Sequence, residues 1–164
     1  MWNDRMIRAL ALFSAMALGA AVAGCTRAPE IGGDPKARLT EYIQGSFNVK
    51  GISDRQRLLG ILSGDARTRL AAWSDDQFRE AFMSARRELL KISFKEVKPI
   101  NPAEVSVTYE VVYTDKGRAN SSGPAKVTNK KLAQMVRGAD GGWTIADVHN
   151  IKELIEYSNE MSLP

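Results

Sequence analysis

The residues with the clearest chemical character lie near the amino terminus, around the single cysteine of the chain. Cys25 follows the small residues Ala23 and Gly24, and an uncharged apolar run extends upstream from Ala9 to Ala21. Arginines at positions 5 and 8 precede this run. A positive region, a short apolar run and small residues before a cut site are the three parts of a secretory signal peptide. The run is well short of the roughly 20 apolar residues that a membrane span needs.

The sequence Val22-Ala23-Gly24-Cys25 resembles the lipobox of bacterial lipoproteins, with Val22 in the place usually held by leucine. The resemblance implies that the Cys25 thiol receives a diacylglycerol, that the chain is cut after Gly24, and that the new amino terminus is open to acylation. Thr26 follows the cysteine, where an aspartate would retain an enteric lipoprotein in the inner membrane. The resemblance therefore favours an anchor in the outer membrane, with the domain facing the periplasm.

Three other interpretations of the amino terminus are less favoured. An ordinary cleaved signal peptide with a chance cysteine would share the small residues before the cut site. Alanine, glycine and serine make the run too weakly hydrophobic for an uncleaved anchor, and the run has no polar face, unlike most core helices. The sequence thus predicts a signal peptide over residues 1–24, a lipidated cysteine and tether over 25–33, and one folded domain over 34–164.

Motifs and composition exclude several classes of function. The chain has no CxxC, HExxH, GxSxG or Walker-type motif and no dinucleotide-binding glycine pattern. With one histidine and one cysteine, a transition-metal site would depend on carboxylates, so neither a metal nor a cofactor is predicted. The first 24 residues hold two arginines and one aspartate, which leaves a net charge of +3 on the rest, against +4 for the whole chain. This small and dispersed charge does not indicate nucleic acid as a partner.

Helices are predicted in the first half of the folded region. Capping residues precede apolar stripes at Asp34, Ser53 and Ser74. A short third helix is predicted from about Asp65 to Trp73. The first helix is expected to end near Gly45, and the second to begin with a capping box from Ser53 to Gln56. The fourth is predicted to be the strongest, because one face of it carries the apolar residues Phe78, Phe82, Ala85 and Leu89.

Strand periodicity replaces helical periodicity at about Lys91. Ile92 and Phe94 alternate with polar residues, and Val97 fits the same face if a bulge intervenes. The clearest strand follows a Pro99–Pro102 connection, with one face formed by Val105, Val107, Tyr109, Val111 and Tyr113.

The last part of the chain is predicted to complete an antiparallel sheet. A third strand over 125–137 leaves two arrangements open, a bulge near Asn129 or a far end that is covered on both faces. A hairpin over 139–142 leads into a fourth strand over 143–148. A short helix is predicted from Asn150, since Ile151, Leu154 and Ile155 form a helical stripe.

This order of elements, with the strand "VSVTYEVVYT" and the turn "DGGWTIADV", resembles the nuclear-transport-factor-two-like superfamily, also called cystatin-like. Within it, the match is closest to small bacterial lipoproteins of unknown function with a lumazine-binding-like domain. The resemblance covers roughly residues 35–148. It implies an α+β fold in which amino-terminal helices pack on a curved, four-stranded antiparallel sheet and often leave a pocket. The superfamily includes enzymes, carriers, secretion-system parts and dimerisation modules, so the fold alone does not give the function.

The acid–base enzymes of that superfamily use a pocket carboxylate with a tyrosine or histidine. The corresponding candidates here are Tyr109, Glu110, Tyr113, Asp147 and His149. Alternation places both tyrosines on the core face and Glu110 on the other, and Asp147 shares the parity of the predicted core positions 143 and 145. Tyr109, Tyr113 and Asp147 are therefore the candidate pocket residues, and no residue is assigned as catalytic.

The sequence thus favours a lipid-anchored, non-enzymatic envelope protein whose domain is a binding or assembly module. An envelope protein and a second copy of the chain both remain open as its partner. The alternative is a pocket-bearing small-molecule binder or acid–base enzyme of the same fold.

Overall fold

The structure is a computed structural model that describes residues 33–117 and 124–157. The predicted signal peptide, Cys25 and nearly all of the tether lie outside the described residues, as does most of the polar loop between the second and third strands. Among the helices that are described, none is long and apolar enough to cross a bilayer.

In the part of the chain that the structure describes, four α-helices precede the sheet. They are α1 (Pro35–Phe47), α2 (Asp54–Leu59), α3 (Gly64–Ala72) and α4 (Asp75–Phe78), and α4 continues into a π-helical turn over Arg79–Met83. The predicted caps of α1 and α4 are confirmed. The Asp34 carboxylate accepts a hydrogen bond from the backbone nitrogen of Lys36 at 2.9 Å, and the capping box between Ser74 and Gln77 is formed in both directions.

The predictions for α1 and α2 need correction at their junction. Ser53 makes no capping bond, because its backbone is already helical, with φ −60° and ψ −27°. The Asp54 carboxylate accepts hydrogen bonds from the backbone nitrogens of Lys50 and Gly51, at 2.8 and 3.2 Å. Gly45 does not end α1, which runs on to Phe47. A Cβ at Gly45 would lie 2.6 Å from the end of the Arg57 side chain and 3.3 Å from a methyl group of Leu58. The end of the Arg57 side chain can move aside, so the close approach of the Leu58 methyl group is what favours glycine at this position.

The fourth helix is shorter than predicted. The π-helical turn rotates the chain out of the α-helical stripe after Phe82, and strand β1 begins at Arg87. Leu89, which the sequence placed on the helix face, belongs to β1 and lies opposite Tyr113. Strand pairing with β2 therefore overrides the helical pattern here.

The four strands form one antiparallel sheet in the order β1-β2-β3-β4. They are β1 (Arg87–Asn101), β2 (Glu104–Asp115), β3 (Ala125–Arg137) and β4 (Trp143–Tyr157). The hairpin before β4 is confirmed, and Gly141 in it has a φ of 81°, which favours glycine. The prediction of an α+β fold with helices on a curved four-stranded antiparallel sheet is confirmed.

The helices cover one face of the sheet, which we call the inner face. The helical layer buries Leu39, Ile43, Leu58, Leu59, Ile61, Leu62, Ala66, Leu70 and Phe78. The sheet contributes Val105, Val107, Tyr109, Val111, Ala133, Met135, Trp143 and Ile145. The segment between α2 and α3 also bonds to β4, since Ile145 accepts from the Ser63 backbone nitrogen at 2.9 Å and donates to Ile61 at 3.0 Å.

Bulges determine which side chains reach the inner face. The predicted bulge before Val97 is confirmed, because the β1–β2 register shifts between Phe94 and Glu96. Neither arrangement proposed for β3 is present. Its inner face keeps one parity from Val127 to Met135, and the register shifts of the β3–β4 pair skip Ala146 and Ile151 of β4 instead.

The predicted carboxy-terminal helix is wrong. Residues from Asn150 to Tyr157 continue β4, and the pairing with β3 extends to Ala125 opposite Tyr157. A strand as long as β3 offers backbone partners along this whole stretch, whereas a helix over Ile151, Leu154 and Ile155 would have left that edge unpaired. These three side chains are instead between 43% and 54% exposed.

Candidate functional site

A cavity of about 430 Å³ lies between α1, the π-helical turn and the inner face of the sheet. This volume falls within the range of small-molecule sites. Its aromatic walls are Tyr42, Phe47, Phe82, Tyr109 and Tyr113. The rings of Phe47 and Tyr113 meet edge to face with centroids 5.4 Å apart. We call this space the inner cavity.

A buried amide forms part of the inner cavity. Asn129 lies on β3 opposite Glu153 of β4 and is only 5% exposed. Its Nδ2 donates a hydrogen bond to Glu153 Oε2 at 2.7 Å, while its Oδ1 is buried without a hydrogen-bond partner. An unsatisfied buried polar atom costs about 1–3 kcal/mol, and a group that hydrogen-bonds to it removes this cost.

A lysine lies beside this amide. Lys131 follows Asn129 on the same face of β3 and also lines the inner cavity. Burial lowers the pKa of its ammonium group, and the Glu153 carboxylate opposes that shift. Within the described part of the chain, no hydrogen bond or ion pair holds the ammonium group. The inner cavity thus offers a hydrogen-bond acceptor, Asn129 Oδ1, and a cationic donor, the Lys131 ammonium, at successive positions on one face of β3.

The tyrosines of the inner cavity are neutral at physiological pH. Burial raises the pKa of Tyr109, Tyr42 and Tyr113 above the ordinary value for a phenol. For Tyr113 the Arg87 guanidinium, which lies 5.9 Å from the ring centroid, opposes the rise. The three phenols can therefore donate hydrogen bonds but are poor bases.

Asp147 is not among the described residues that line the inner cavity. The bulge at Ala146 puts Ile145 opposite Met135 but Asp147 opposite Gln134, so the predicted shared parity of Asp147 with the core positions is wrong. Its carboxylate bonds to Arg69 of α3 and to the backbone nitrogen of Val148. The structure therefore brings Tyr109 and Tyr113 together in one cavity and leaves Asp147 outside it.

The other acid–base candidates are also held by local contacts. His149 Nε2 lies 2.7 Å from Asp147 Oδ2 on an exposed part of β4. Glu110 bonds to Lys95 at 2.7 Å, which lowers the pKa of its carboxyl. The Arg69 guanidinium lowers the pKa of Asp147 in the same way. A general base that works near neutral pH needs the opposite shift.

We expect Asp147→Asn to reduce the free energy of unfolding by about 1 kcal/mol or less near neutral pH, because the Arg69 side of the pair is exposed. Since folding lowers the pKa of Asp147 below its ordinary 3.8, its contribution is present above that pH and lost as pH falls through the folded-state pKa. Urea titrations of both proteins at several pH values measure this difference. A gap that widens in acid would contradict the ion-pair assignment. The control is Asp76→Asn, which makes the same change in a more exposed ion pair, with Arg79.

Asn129, Lys131 and Glu153 were not among the site residues predicted from the sequence. Asn129 and Lys131 lie at odd-numbered positions of β3, like the buried residues Val127, Ala133 and Met135. Two polar residues on an otherwise apolar strand face could therefore have indicated a site. Glu153 could not be found because the sequence placed it in a helix.

A second cleft, of about 480 Å³, lies near the start of α1. Arg38 on its wall is already engaged by the backbone oxygens of Trp143 and Gly60, at 3.2 and 3.1 Å. Arg38 is therefore occupied, whereas Asn129 Oδ1 in the inner cavity has no hydrogen-bond partner. Within residues 33–117 and 124–157, no group of three histidine, cysteine or acidic side chains is arranged to hold a metal ion.

Comparison with known proteins defines the fold. The chain is similar to a ketosteroid isomerase-like protein from Erwinia carotovora atroseptica, with a TM-score of 0.54 and 14% identity over 71% of this chain and 93% of that one. It has a nuclear-transport-factor-two-like fold. The intermembrane space region of the chloroplast protein ARC6 is also similar, with a TM-score of 0.51 and 15% identity over 72% of this chain and 96% of that one. No protein-family model matches the sequence, and no curated protein matches it significantly.

Proposed function

We propose that this is a lipid-anchored cell-envelope protein whose nuclear-transport-factor-two-like domain is a non-enzymatic binding module. The anchor is supported by the resemblance of Val22-Ala23-Gly24-Cys25 to a lipobox. Thr26 after the cysteine favours the outer membrane, with the domain on the periplasmic side. The cysteine fixes the position of the module, and the domain supplies the binding site.

The inner cavity is the observation on which the binding role rests. It combines aromatic walls with a buried Asn129 Oδ1 that has no partner. Ligand sites typically have such a mostly apolar surface with a few well-placed polar groups. A ligand that donates a hydrogen bond to Asn129 would remove the cost of the unsatisfied oxygen.

Acid–base catalysis receives less support from the same geometry. A proton-transfer site needs a carboxyl whose pKa is raised towards neutrality and that can reach the substrate. Asp147 lies outside the inner cavity, and Arg69 lowers its pKa. The Glu153 carboxylate does line the cavity but is engaged by the amide of Asn129. Binding is therefore the function that the site supports best.

A screen of small organic fragments against the soluble domain, read by ligand-observed NMR, tests the binding role. Ser46 of α1 lines the inner cavity, so Ser46→Phe should fill part of it and abolish the binding of hits. Asp147→Asn should retain every hit. Hits that bind Ser46→Phe as well as the wild type, while circular dichroism shows both proteins folded, would exclude the inner cavity as the site.

Assembly with a second copy of the chain is the second candidate function. The end of the edge strand β4 exposes four apolar side chains, Ile151, Leu154, Ile155 and Tyr157. If two such strands pair antiparallel about Leu154, Lys152 of each copy faces Glu156 of the other, so the charges are complementary. Sedimentation equilibrium should then show a dimer that Lys152→Glu disrupts. A wild-type domain that stays monomeric at high concentration would rule this surface out as a dimer interface.

A further inference from the structure

The free polar groups of the inner cavity specify complementary groups on a ligand. Asn129 Oδ1 accepts hydrogen bonds only, and it is buried without a partner. The Lys131 ammonium donates hydrogen bonds only and carries a positive charge. The two residues are two positions apart on β3, which separates their Cα atoms by about 6.5–7 Å. A matching ligand has a hydrogen-bond donor at one end and an anion or acceptor at the other.

Each of the other charged groups of the inner cavity makes at least one hydrogen bond. The Asp115 carboxylate accepts a hydrogen bond from the Gly117 backbone nitrogen at 2.9 Å, and Glu153 accepts from Asn129. Arg87 donates to the backbone oxygen of Ala81 at 3.3 Å. Among the described charged groups that line the cavity, Lys131 is the one with no hydrogen bond or ion pair, so it is the cation most available to an incoming anion. One ammonium group suits a monoanion, because each further negative charge would have to leave water without a partner.

Resting on the proposed binding role of the inner cavity, we propose that its ligand is a compact aromatic carboxylate with a hydroxyl group on the opposite side of the ring. The carboxylate pairs with the Lys131 ammonium, and the hydroxyl donates to Asn129 Oδ1. The ring packs against the aromatic side chains of Phe47, Phe82 and Tyr113. A ring substituted at opposite ends spans a length comparable with the spacing of the two polar residues.

Three probes of nearly equal size separate these contacts. 4-Hydroxybenzoate has both polar groups, benzoate lacks the donor, and 4-hydroxybenzyl alcohol lacks the charge. Titration calorimetry on the wild-type domain should show that 4-hydroxybenzoate binds about tenfold more tightly than either of the others, as expected for one hydrogen bond to a buried or charged group. Equal affinity for all three compounds would overturn the proposed ligand class.

Variants assign each contact to its residue. Lys131→Met should remove the advantage of 4-hydroxybenzoate over the alcohol, and Asn129→Leu should remove its advantage over benzoate. Lys130→Met is the matched control, because it makes the same change of charge on the opposite face of β3, and it should retain the full preference. If Asn129→Leu does not fold, Lys131→Met still tests the proposal, because Lys131 is only half-buried. An unchanged preference of Lys131→Met for 4-hydroxybenzoate over the alcohol would contradict the proposal.

Failure of the ligand class is distinguishable from failure of the binding role. If neutral aromatic probes bind the wild type and not Ser46→Phe, while carboxylates bind no better, the cavity is a binding site but the proposed ligand class is wrong. If no aromatic probe of any charge binds the cavity, both proposals are wrong.

Discussion

Phe78→Ala is expected to cost about 3–5 kcal/mol in the free energy of unfolding, the range for removing a large aromatic side chain from a core. Phe78 is fully buried at the end of α4. Its ring centroid lies 4.8 Å from that of Phe82, and the Arg55 guanidinium lies 4.8 Å above the ring. The substitution would leave a cavity and remove the aromatic contact of the Arg55 guanidinium, whose Nε is buried without a hydrogen bond and whose other partners are Ser74 and Asp75.

Chemical denaturation measures this loss against two reference variants. Lys130→Ala, on the outer face, should cost about 0.5 kcal/mol or less. Phe82→Ala should fall between the two, because Phe82 is only partly buried on the wall of the inner cavity. A cost for Phe78→Ala no greater than that of Lys130→Ala would mean that α4 does not pack on the sheet as described.

Cys25→Ala is expected to abolish the lipid anchor and the cleavage after Gly24. If Cys25 carries two or more acyl chains, each contributes roughly 0.8 kcal/mol per buried CH₂, which makes the anchor effectively permanent. The wild type should partition into the detergent phase, and mass spectrometry should find the lipid on an amino-terminal Cys25. The variant should remain an uncut precursor without lipid.

Ser14→Ala is a suitable control because it changes one side chain of the apolar run and leaves residues 22–25 intact. This protein should be processed and lipidated like the wild type. A mature amino terminus elsewhere in the chain, with no lipid mass on Cys25, would show that the lipobox interpretation is wrong.

The local patterns of the sequence predicted most of the fold. The alternation from Val105 to Tyr113 placed β2 on the correct face, and the caps at Asp34 and Ser74 located the starts of α1 and α4. These features depend on residues close together in the chain, so the sequence records them directly.

The errors arise where a distant part of the chain decides the structure. The stripe at Ile151, Leu154 and Ile155 is compatible with a helix, but pairing with the long strand β3 makes it a strand. The bulge at Ala146 changes the face of the sheet on which Asp147 lies, and no residue type near Ala146 indicates a bulge in the sequence. After a single bulge, every following position of the strand lies on the opposite face from the one that simple alternation predicts. The predicted place of Asp147 in the pocket was therefore wrong.

The candidate site was predictable only in part. Tyr109 and Tyr113 follow from the parity of β2, and the structure places both in the inner cavity. Asn129 and Glu153 meet only because β3 and β4 pair along residues that the sequence assigned to a strand and a helix. The unpaired oxygen of Asn129 depends on what packs around it, which one strand's pattern cannot predict.

The most direct measurement of the binding role is protein-observed NMR, in which fragment hits are titrated into the isotope-labelled domain without its predicted signal peptide and lipid. If the inner cavity is the binding site, the largest chemical-shift changes fall on the side-chain amide of Asn129 and the backbone amides of Tyr113 and Lys131. The largest changes around Asp147 and Arg69, with the Asn129 amide unmoved, would contradict it.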